Sequence, residues 1–249
     1  MLMEPLLDKL HRLRLPAFRE GLREQIGNPQ YAELAFEERL ALLVERECLR
    51  RQNRSLQRRL KQALFPVSAV MADVDLSPTR GLDRSQVLEL AQGNWVEANR
   101  NVLILGPTGS GKTYLACALG EAVCVRGSTV RYQRTSRLLT SLVQARKEGE
   151  YMDALRDLAR VDLLILDDWM RDAVDAEQAR ELLEILDDRF GRSSTLVAGQ
   201  VPVDEWYRRI PDPTLAEAIL DRLIHNAYRL ELTGESQRKL RGFRPMSNT

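Results

Sequence analysis

The sequence predicts an α/β chain: a parallel five-stranded sheet flanked by helices, preceded by a small all-helical domain. Three observations carry this. Beyond residue 81, short apolar runs such as Val102–Leu105 and Leu163–Leu166 alternate with helical patterns, as in a parallel sheet covered on both faces. Residues 1–64 show helical periodicity throughout. The 249 residues, 44% of them hydrophobic, suffice for one sizeable core and a small appendage.

At the N-terminus Leu6, Leu7, Leu10, Leu13 and Leu15 recur at helical spacing, and Phe36, Leu40, Leu43 and Val44 repeat the pattern. Pro16 and the Gly27-Asn28-Pro29 turn divide this region into at least three short helices. Residues 65–81 carry Pro66 and Pro78 and few long apolar runs, which predicts a linker there. The expected organisation is a helical domain over 1–64, a linker over 65–81, a catalytic domain over 82–241 and a tail over 242–249. Strands are predicted at Asn101–Leu105, Thr129–Gln133, Val161–Leu166, Ser194–Ala198 and Tyr228–Leu232. No internal repeat is visible.

The longest apolar runs are too short to cross a bilayer, so no membrane partner is expected. Glu4, Asp8 and Lys9 interrupt the first ten residues, and no secretory signal is visible. Cys48, Cys117 and Cys124 lack metal-ligand spacing, which fits thiols in a reducing cytoplasm. His11 and His225 stand alone, so neither a metal site other than one for Mg²⁺ nor a histidine-based catalytic constellation is expected. Trp95 could border an adenine or belong to the core.

A net charge of +1 conceals a segregation. Before residue 70 there are 13 basic against 9 acidic residues; after it, 24 against 27. Cys48–Leu64 holds six basic residues and no acidic one: Arg50, Arg51, Arg54, Arg58, Arg59 and Lys61. On a helix, Leu49, Leu56 and Leu60 fall within about 40° of one another, while Arg50, Arg51, Arg54, Arg58 and Lys61 occupy a ~100° wedge opposite. A second acid-free stretch, Val125–Lys147, contains Arg126, Arg131, Arg134, Arg137, Arg146 and Lys147. Such stretches serve either as solvated helix faces or as surfaces for a phosphate backbone.

Gly106-Pro-Thr-Gly-Ser-Gly-Lys112-Thr113 follows an apolar strand and precedes a helical pattern, the context that distinguishes a P-loop from a chance match. Glycines let backbone N–H groups close around phosphates, and the helix N-terminus adds its positive dipole end. The expected ATP-binding set is Gly106, Pro107, Thr108, Gly109, Ser110, Gly111, Lys112, Thr113 and Tyr114. In it Lys112 reaches the β- and γ-phosphates and Thr113 coordinates Mg²⁺. The apolar run ending in Asp167-Asp168 sets two carboxylates at the C-terminal edge of the sheet. Asp167 is the expected Mg²⁺ partner. Asp168 either orients the attacking water or caps the next helix.

These motifs bring the chain close to a known family. It resembles the IstB-type ATP-binding proteins of insertion sequences, AAA+ ATPases related to the DnaC replicative helicase loader. The resemblance is carried by Glu37–Leu64, Gly81–Ala91, the P-loop, Leu163–Trp169, the stretch Asp212-Pro-Thr-Leu-Ala-Glu-Ala-Ile-Leu-Asp-Arg-Leu-Ile-His-Asn-Ala227, and Gly234-Glu-Ser-Gln-Arg238-Lys. It implies an AAA+ ATPase that hydrolyses ATP slowly and as an oligomer, assembling into a ring or helical homo-oligomer on target DNA. It further implies remodelling of that DNA and recruitment or stimulation of a cognate transposase.

Arg222 matches the arginine-finger position, acting in trans on a neighbouring subunit's nucleotide, unless it forms a surface ion pair with Asp221 or Glu217. Arg238 matches a γ-phosphate sensor in cis. The chain departs from the family's pattern at Asp168, commonly Glu in AAA+ proteins, and at Met170, usually Gly. It departs again after the fourth strand, where Gln200 is the nearest polar residue to a sensor commonly Ser or Asn. In this context Arg50, Arg51, Arg54, Arg58, Arg59, Lys61, Arg134, Arg137, Arg146 and Lys147 read as contacts to double-stranded DNA. Backbone contacts of this kind imply low sequence specificity. A DnaC-like helicase loader, and a nucleotide-gated scaffold without turnover, are the alternatives.

Overall fold

Strands that are apolar along their whole length belong in the middle of a sheet, and strands exposed on one side belong at its edges. The computed structural model, which describes residues 3–234, follows this rule. β1 (Asn101–Leu105), β3 (Leu163–Asp167) and β4 (Ser194–Gly199) are buried at every residue. β2 (Val130–Arg134) and β5 (Ala227–Glu231) are partly exposed. All pairings are parallel, in the order β2-β3-β4-β1-β5.

The chain divides into two compact units, Met1–Arg58 and Arg59–Thr249. In the first, α1 (Met3–Arg12), α2 (Pro16–Gly27) and the start of α3 (Phe36–Ala63) bury Leu7, Leu10, Ala17 and Leu43. The orphan N–H groups at the head of α2 are met by a distant carboxylate. Ala17 N and Phe18 N donate to Glu47 Oε2 at 2.9 and 3.2 Å. Burial pushes the Glu47 carboxyl up, but Arg51 and these two amides more than offset it and hold the group below its usual range.

The boundary expected between residues 64 and 65 lies instead between Arg58 and Arg59. The physical reason is burial. Ala63 and Ala69 are buried, and a Cβ at Gly120 would come within 2.8 Å of the Phe65 ring. Residues 59–81 thus supply packing to the sheet unit and are not a bare linker. The expected tail, 242–249, lies outside the described residues, as do residues 235–241.

In the second unit α4 (Arg84–Ala91) and α5 (Asn94–Glu97) precede the sheet. α6 (Lys112–Arg126) joins β1 to β2 and stops at Gly127, whose φ of 111° favours glycine. α7 (Thr135–Glu148) and α8 (Tyr151–Arg160) join β2 to β3, and α9 (Ala176–Arg189), opened by an Asp175–Gln178 capping box, leads to β4. α10 (Val203–Trp206) and α11 (Pro213–Ile224) lead to β5. One face of the sheet packs on a core containing Leu103, Leu164, Val197, Leu182 and Ile219. Trp169 and Trp206 meet edge-to-face within it, their centroids 5.8 Å apart. Trp95 is also buried, its indole N–H donating to Leu90 O at 2.9 Å, which settles it as a core residue. No helix among the described residues is long and apolar enough to cross a membrane.

Candidate nucleotide site

Because β4 lies between β1 and β3, the loops leaving these strands meet at the C-terminal edge of the sheet. The P-loop leaves β1 at Gly106, where no other residue fits. Its φ is 149°, and a Cβ there would lie 2.4 Å from the Leu232 carbonyl oxygen. Gly109 and Gly111 also take positive φ, at 81° and 96°. Gly111 caps α6, whose first residues are Lys112 and Thr113, so the amides of the first turn have no helical acceptors and face outward for an anion. Lys112 Nζ donates to Gly106 O at 2.8 Å and Pro107 O at 2.9 Å, lying back along the loop.

Asp167, the last residue of β3, is buried, and its oxygens are organised by neighbours. Thr113 Oγ1 and Tyr132 Oη both donate to Oδ2, each at 2.7 Å. The Asp168 amide donates to Oδ1 at 2.8 Å. Burial first, and the Asp167 carboxylate second, raise the Tyr132 hydroxyl. The same two causes push the Cys117 thiol up to about 12. A hydroxyl and a carboxylate sharing one hydrogen bond at the mouth of the P-loop form a hard oxygen pair of the kind Mg²⁺ takes, so these residues fit the ion.

Asp168 does not cap a helix. Its φ is 55°, and α9 begins only after Asp175, which supplies the cap. The Asp168 carboxylate stands 3.4 Å from Arg171 and 3.8 Å from Arg134. Met170, where the family pattern has Gly, adopts a φ of 50° with its side chain buried. Left-handed backbone explains why glycine suits that position, and core packing explains how methionine is held there. Gln200 follows β4 and accepts a hydrogen bond from Thr108 Oγ1, which brings the P-loop and the end of β4 together.

These groups line a cavity of about 570 Å³. Its walls include Thr108 to Tyr114, Asp167, Asp168 and Gln200, while Gly106 and Pro107 form the loop behind. A further part of the lining was not foreseen. Pro66, Val67, Asp73, Val74, Asp75 and Arg80, all from the expected linker, contribute to it, together with Leu82. Arg171 and Arg134 line the cavity as well. Tyr132 could have been suspected from the alternation Val130, Tyr132 on β2, which puts both on one buried face. Arg80 carries no such signal.

Arg222 lies elsewhere. It lies in the last turn of α11, and its carbonyl accepts from Asn101 Nδ2 at 2.9 Å, at the N-terminal end of β1. Its guanidinium pairs with Asp187, stands 3.7 Å from Asp221, and sits 5.9 Å from the Phe190 ring centroid. Glu217 is not among these partners. Arg238 lies outside the described residues.

The basic residues expected to meet DNA are unevenly engaged. Arg50 pairs with Glu20 at 3.7 Å, and Arg51 with Glu47 at 3.0 Å. Arg59 donates to Cys124 O at 2.8 Å. Arg146 pairs with Glu181 at 3.1 Å and stacks over Tyr151 at 4.2 Å. Arg134 belongs to the cavity wall. Arg54, Arg58, Lys61, Arg137 and Lys147 are exposed and have no ion pair among the described residues.

A parallel sheet with a P-loop after β1 and a buried carboxylate ending β3 defines an AAA+ P-loop ATPase. The chain belongs to the family of IstB-like ATP binding proteins, whose model matches residues 8–243. The insertion sequence ATP-binding protein y4pL of Sinorhizobium fredii is 45% identical over 96% of this chain and 98% of its own length. Among solved structures, DnaI matches with a TM-score of 0.56 and 21% identity, covering 71% of this chain and 94% of that one. AMPPCP-bound DnaA from Aquifex aeolicus matches with a TM-score of 0.59 and 19% identity, covering 75% and 58%. These two share the fold.

Proposed function

We propose that this ATPase is a DNA transposition helper. In this reading it assembles as a ring or helical homo-oligomer on double-stranded DNA, remodels it, and recruits or stimulates a cognate transposase. The observation that carries the reading is kinship along nearly the whole chain with a protein named for insertion sequences.

Lys112 exchanges the Gly106 and Pro107 carbonyls for the β- and γ-phosphates. Thr113 and Asp167 would hold Mg²⁺, and Tyr132, donating to Asp167 Oδ2, keeps that carboxylate aimed. Bound Mg²⁺ supplies charge neutralisation of the phosphoryl oxygens. Asp168 orients the attacking water, and Gln200 sets the polar end of β4 against the loop. Arg222 reaches the nucleotide of a neighbouring subunit, and Arg238 senses the γ-phosphate in cis. Arg54, Arg58, Lys61, Arg137 and Lys147 contact DNA phosphates, with Arg50, Arg51, Arg59, Arg134 and Arg146 joining them at the cost of their present partners.

The test images the full chain with a long duplex and ATP, and measures affinity against salt. Lys112→Ala should abolish nucleotide binding and ATP-stabilised assembly; unchanged assembly would reject the nucleotide-dependent model. Arg54→Ala, Arg58→Ala and Lys61→Ala together should weaken binding to all sequences and flatten the log–log salt slope by roughly 0.9 per lost contact. An unchanged slope would give the cationic stretch to a protein partner, as in a helicase loader.

A further inference from the structure

Arg80 is a buried arginine that the chemistry above does not use. It lies in the segment before α4 and lines the nucleotide cavity, with 6% of its side chain exposed. One terminal nitrogen donates to the Ser110 carbonyl inside the P-loop. Its Nε stands 3.8 Å from Asp75, a carboxylate half exposed to solvent.

The surroundings hold the Arg80 backbone firmly. Thr233 N donates to Arg80 O at 2.9 Å, and Leu232 N donates to Leu105 O at 2.7 Å, tying the end of β5 to both the Arg80 segment and β1. Gly81 and Gly234 take φ of 70° and 87°. A Cβ on Gly81 would lie 2.6 Å from Thr233 Oγ1, and one on Gly234 would lie 2.9 Å from Thr79 O. The close approach is therefore built in.

Among the described residues the carboxylate paired with this guanidinium is Asp75, at the long end of ion-pair distance. What the arginine holds is more informative. In a planar trans peptide the C=O and the following N–H point in opposite directions, and there is no cis peptide bond among the described residues. A guanidinium that binds the Ser110 carbonyl on one side of the loop turns the Gly111 N–H to the other. It also sets a fixed positive charge behind a loop that must accept several negative ones.

We propose that Arg80 is a positioning residue for nucleotide binding: it holds the Ser110 carbonyl and thereby aims the Gly111 amide at the phosphates. This rests on the P-loop site being where nucleotide binds. The sequence segment between the helical region and the sheet then sets phosphate affinity from outside the P-loop motif.

The test uses the full chain with Arg80→Met and Arg80→Lys, measuring ADP and adenosine binding by competition and unfolding without nucleotide. Arg80→Met protein that unfolds cooperatively should bind ADP at least tenfold more weakly and bind adenosine as the wild type does. Arg80→Lys retains a cationic donor and should recover ADP affinity to within about threefold of wild type. Arg80→Met protein that binds ADP within threefold of wild type overturns the proposal. So does a parallel loss of ADP and adenosine affinity, which would make Arg80 part of the base wall. If Arg80→Met fails to fold, Arg80→Lys and Arg80→Gln decide: lysine must bind ADP at least threefold more tightly than glutamine, or the proposal fails. Wild-type protein that binds no ADP would overturn the site assignment and, with it, this inference.

Discussion

Replacing Arg222 by alanine should stop hydrolysis in a uniform assembly while leaving each subunit folded and able to bind ATP. In its own subunit the guanidinium makes a solvent-exposed pair with Asp187 and stands near Phe190. An exposed pair is worth about 0–1 kcal/mol and an exposed cation–π contact about 0.5–1 kcal/mol. The loss to folding is then at most about 2 kcal/mol, against domain stabilities of about 5–15 kcal/mol. An arginine finger contributes on the order of 10³–10⁵ in rate, or about 4–7 kcal/mol of barrier. The guanidinium cannot supply this to its own nucleotide. The Arg222 backbone carbonyl accepts from Asn101 at the start of β1, and the guanidinium turns to Asp187, whereas the P-loop leaves the other end of β1, roughly 16 Å away at about 3.3 Å per residue. The assay mixes Arg222→Ala subunits with Asp168→Asn subunits, which retain Arg222, Lys112 and nucleotide binding but lack the carboxylate proposed to orient the water. Mixed assemblies should recover hydrolysis that neither variant shows alone. Mixtures no more active than their components, or an Arg222→Ala protein that loses ATP binding in step with turnover, would refute the in-trans assignment.

Tyr132→Phe removes one of two hydroxyls that donate to Asp167 Oδ2; urea melts should show a loss of about 1.5–3 kcal/mol, and turnover should slow about tenfold or more. Arg189 is buried, its pKa lowered by burial to about 10, and it donates to the Leu158, Val161 and Ser194 carbonyls. Arg189→Met should leave these acceptors unmet and cost about 3 kcal/mol in the same assay. Burial raises the Cys117 and Cys124 thiols from 9.0 to about 12 and about 11. The unfolded chain ionises first, so their stability contribution is intact below pH 9 and is lost as pH rises towards 11–12. At pH 10 each thiol should account for about 1.4 kcal/mol of lost stability, and Cys117→Ala should flatten the decline between pH 8 and 10.

The strands were legible because a parallel sheet buries whole apolar runs: the expected and observed strands differ by only one or two residues at either end. The phosphate loop was legible because its glycines answer to backbone geometry, as the Leu232 carbonyl behind Gly106 shows. The lining that residues 66–80 contribute to the cavity was not. Its residues, Pro66, Val67, Asp73, Asp75 and Arg80, lack periodicity, and turn composition reads the same in a solvated linker as in a segment folded over a site. Arg80 is the clearest case, since a lone arginine between Pro78 and Gly81 gives no sign of burial. The division at Arg58 was missed for a related reason. α3 continues through it, so helical periodicity does not change where the packing does.

Charge counting found the basic stretches but could not say which residues remain available to a polyanion. Partners decide that. Glu181 is buried, one of its oxygens has no hydrogen-bond partner among the described residues, and burial raises its pKa against the opposing effect of Arg146. Drawing Arg146 away would leave that carboxylate buried and unpaired, a cost of about 3–5 kcal/mol in comparable cases. Arg146 is therefore the poorest DNA ligand of the basic set, despite being exposed and basic in sequence. Arg137 and Lys147 on the same helix have no such tie among the described residues, and a phosphate contact gains the counterion-release term without breaking a buried pair. Along α7, the strength of DNA binding should therefore follow Arg137 and Lys147, and Arg146→Ala should weaken folding more than it weakens DNA affinity.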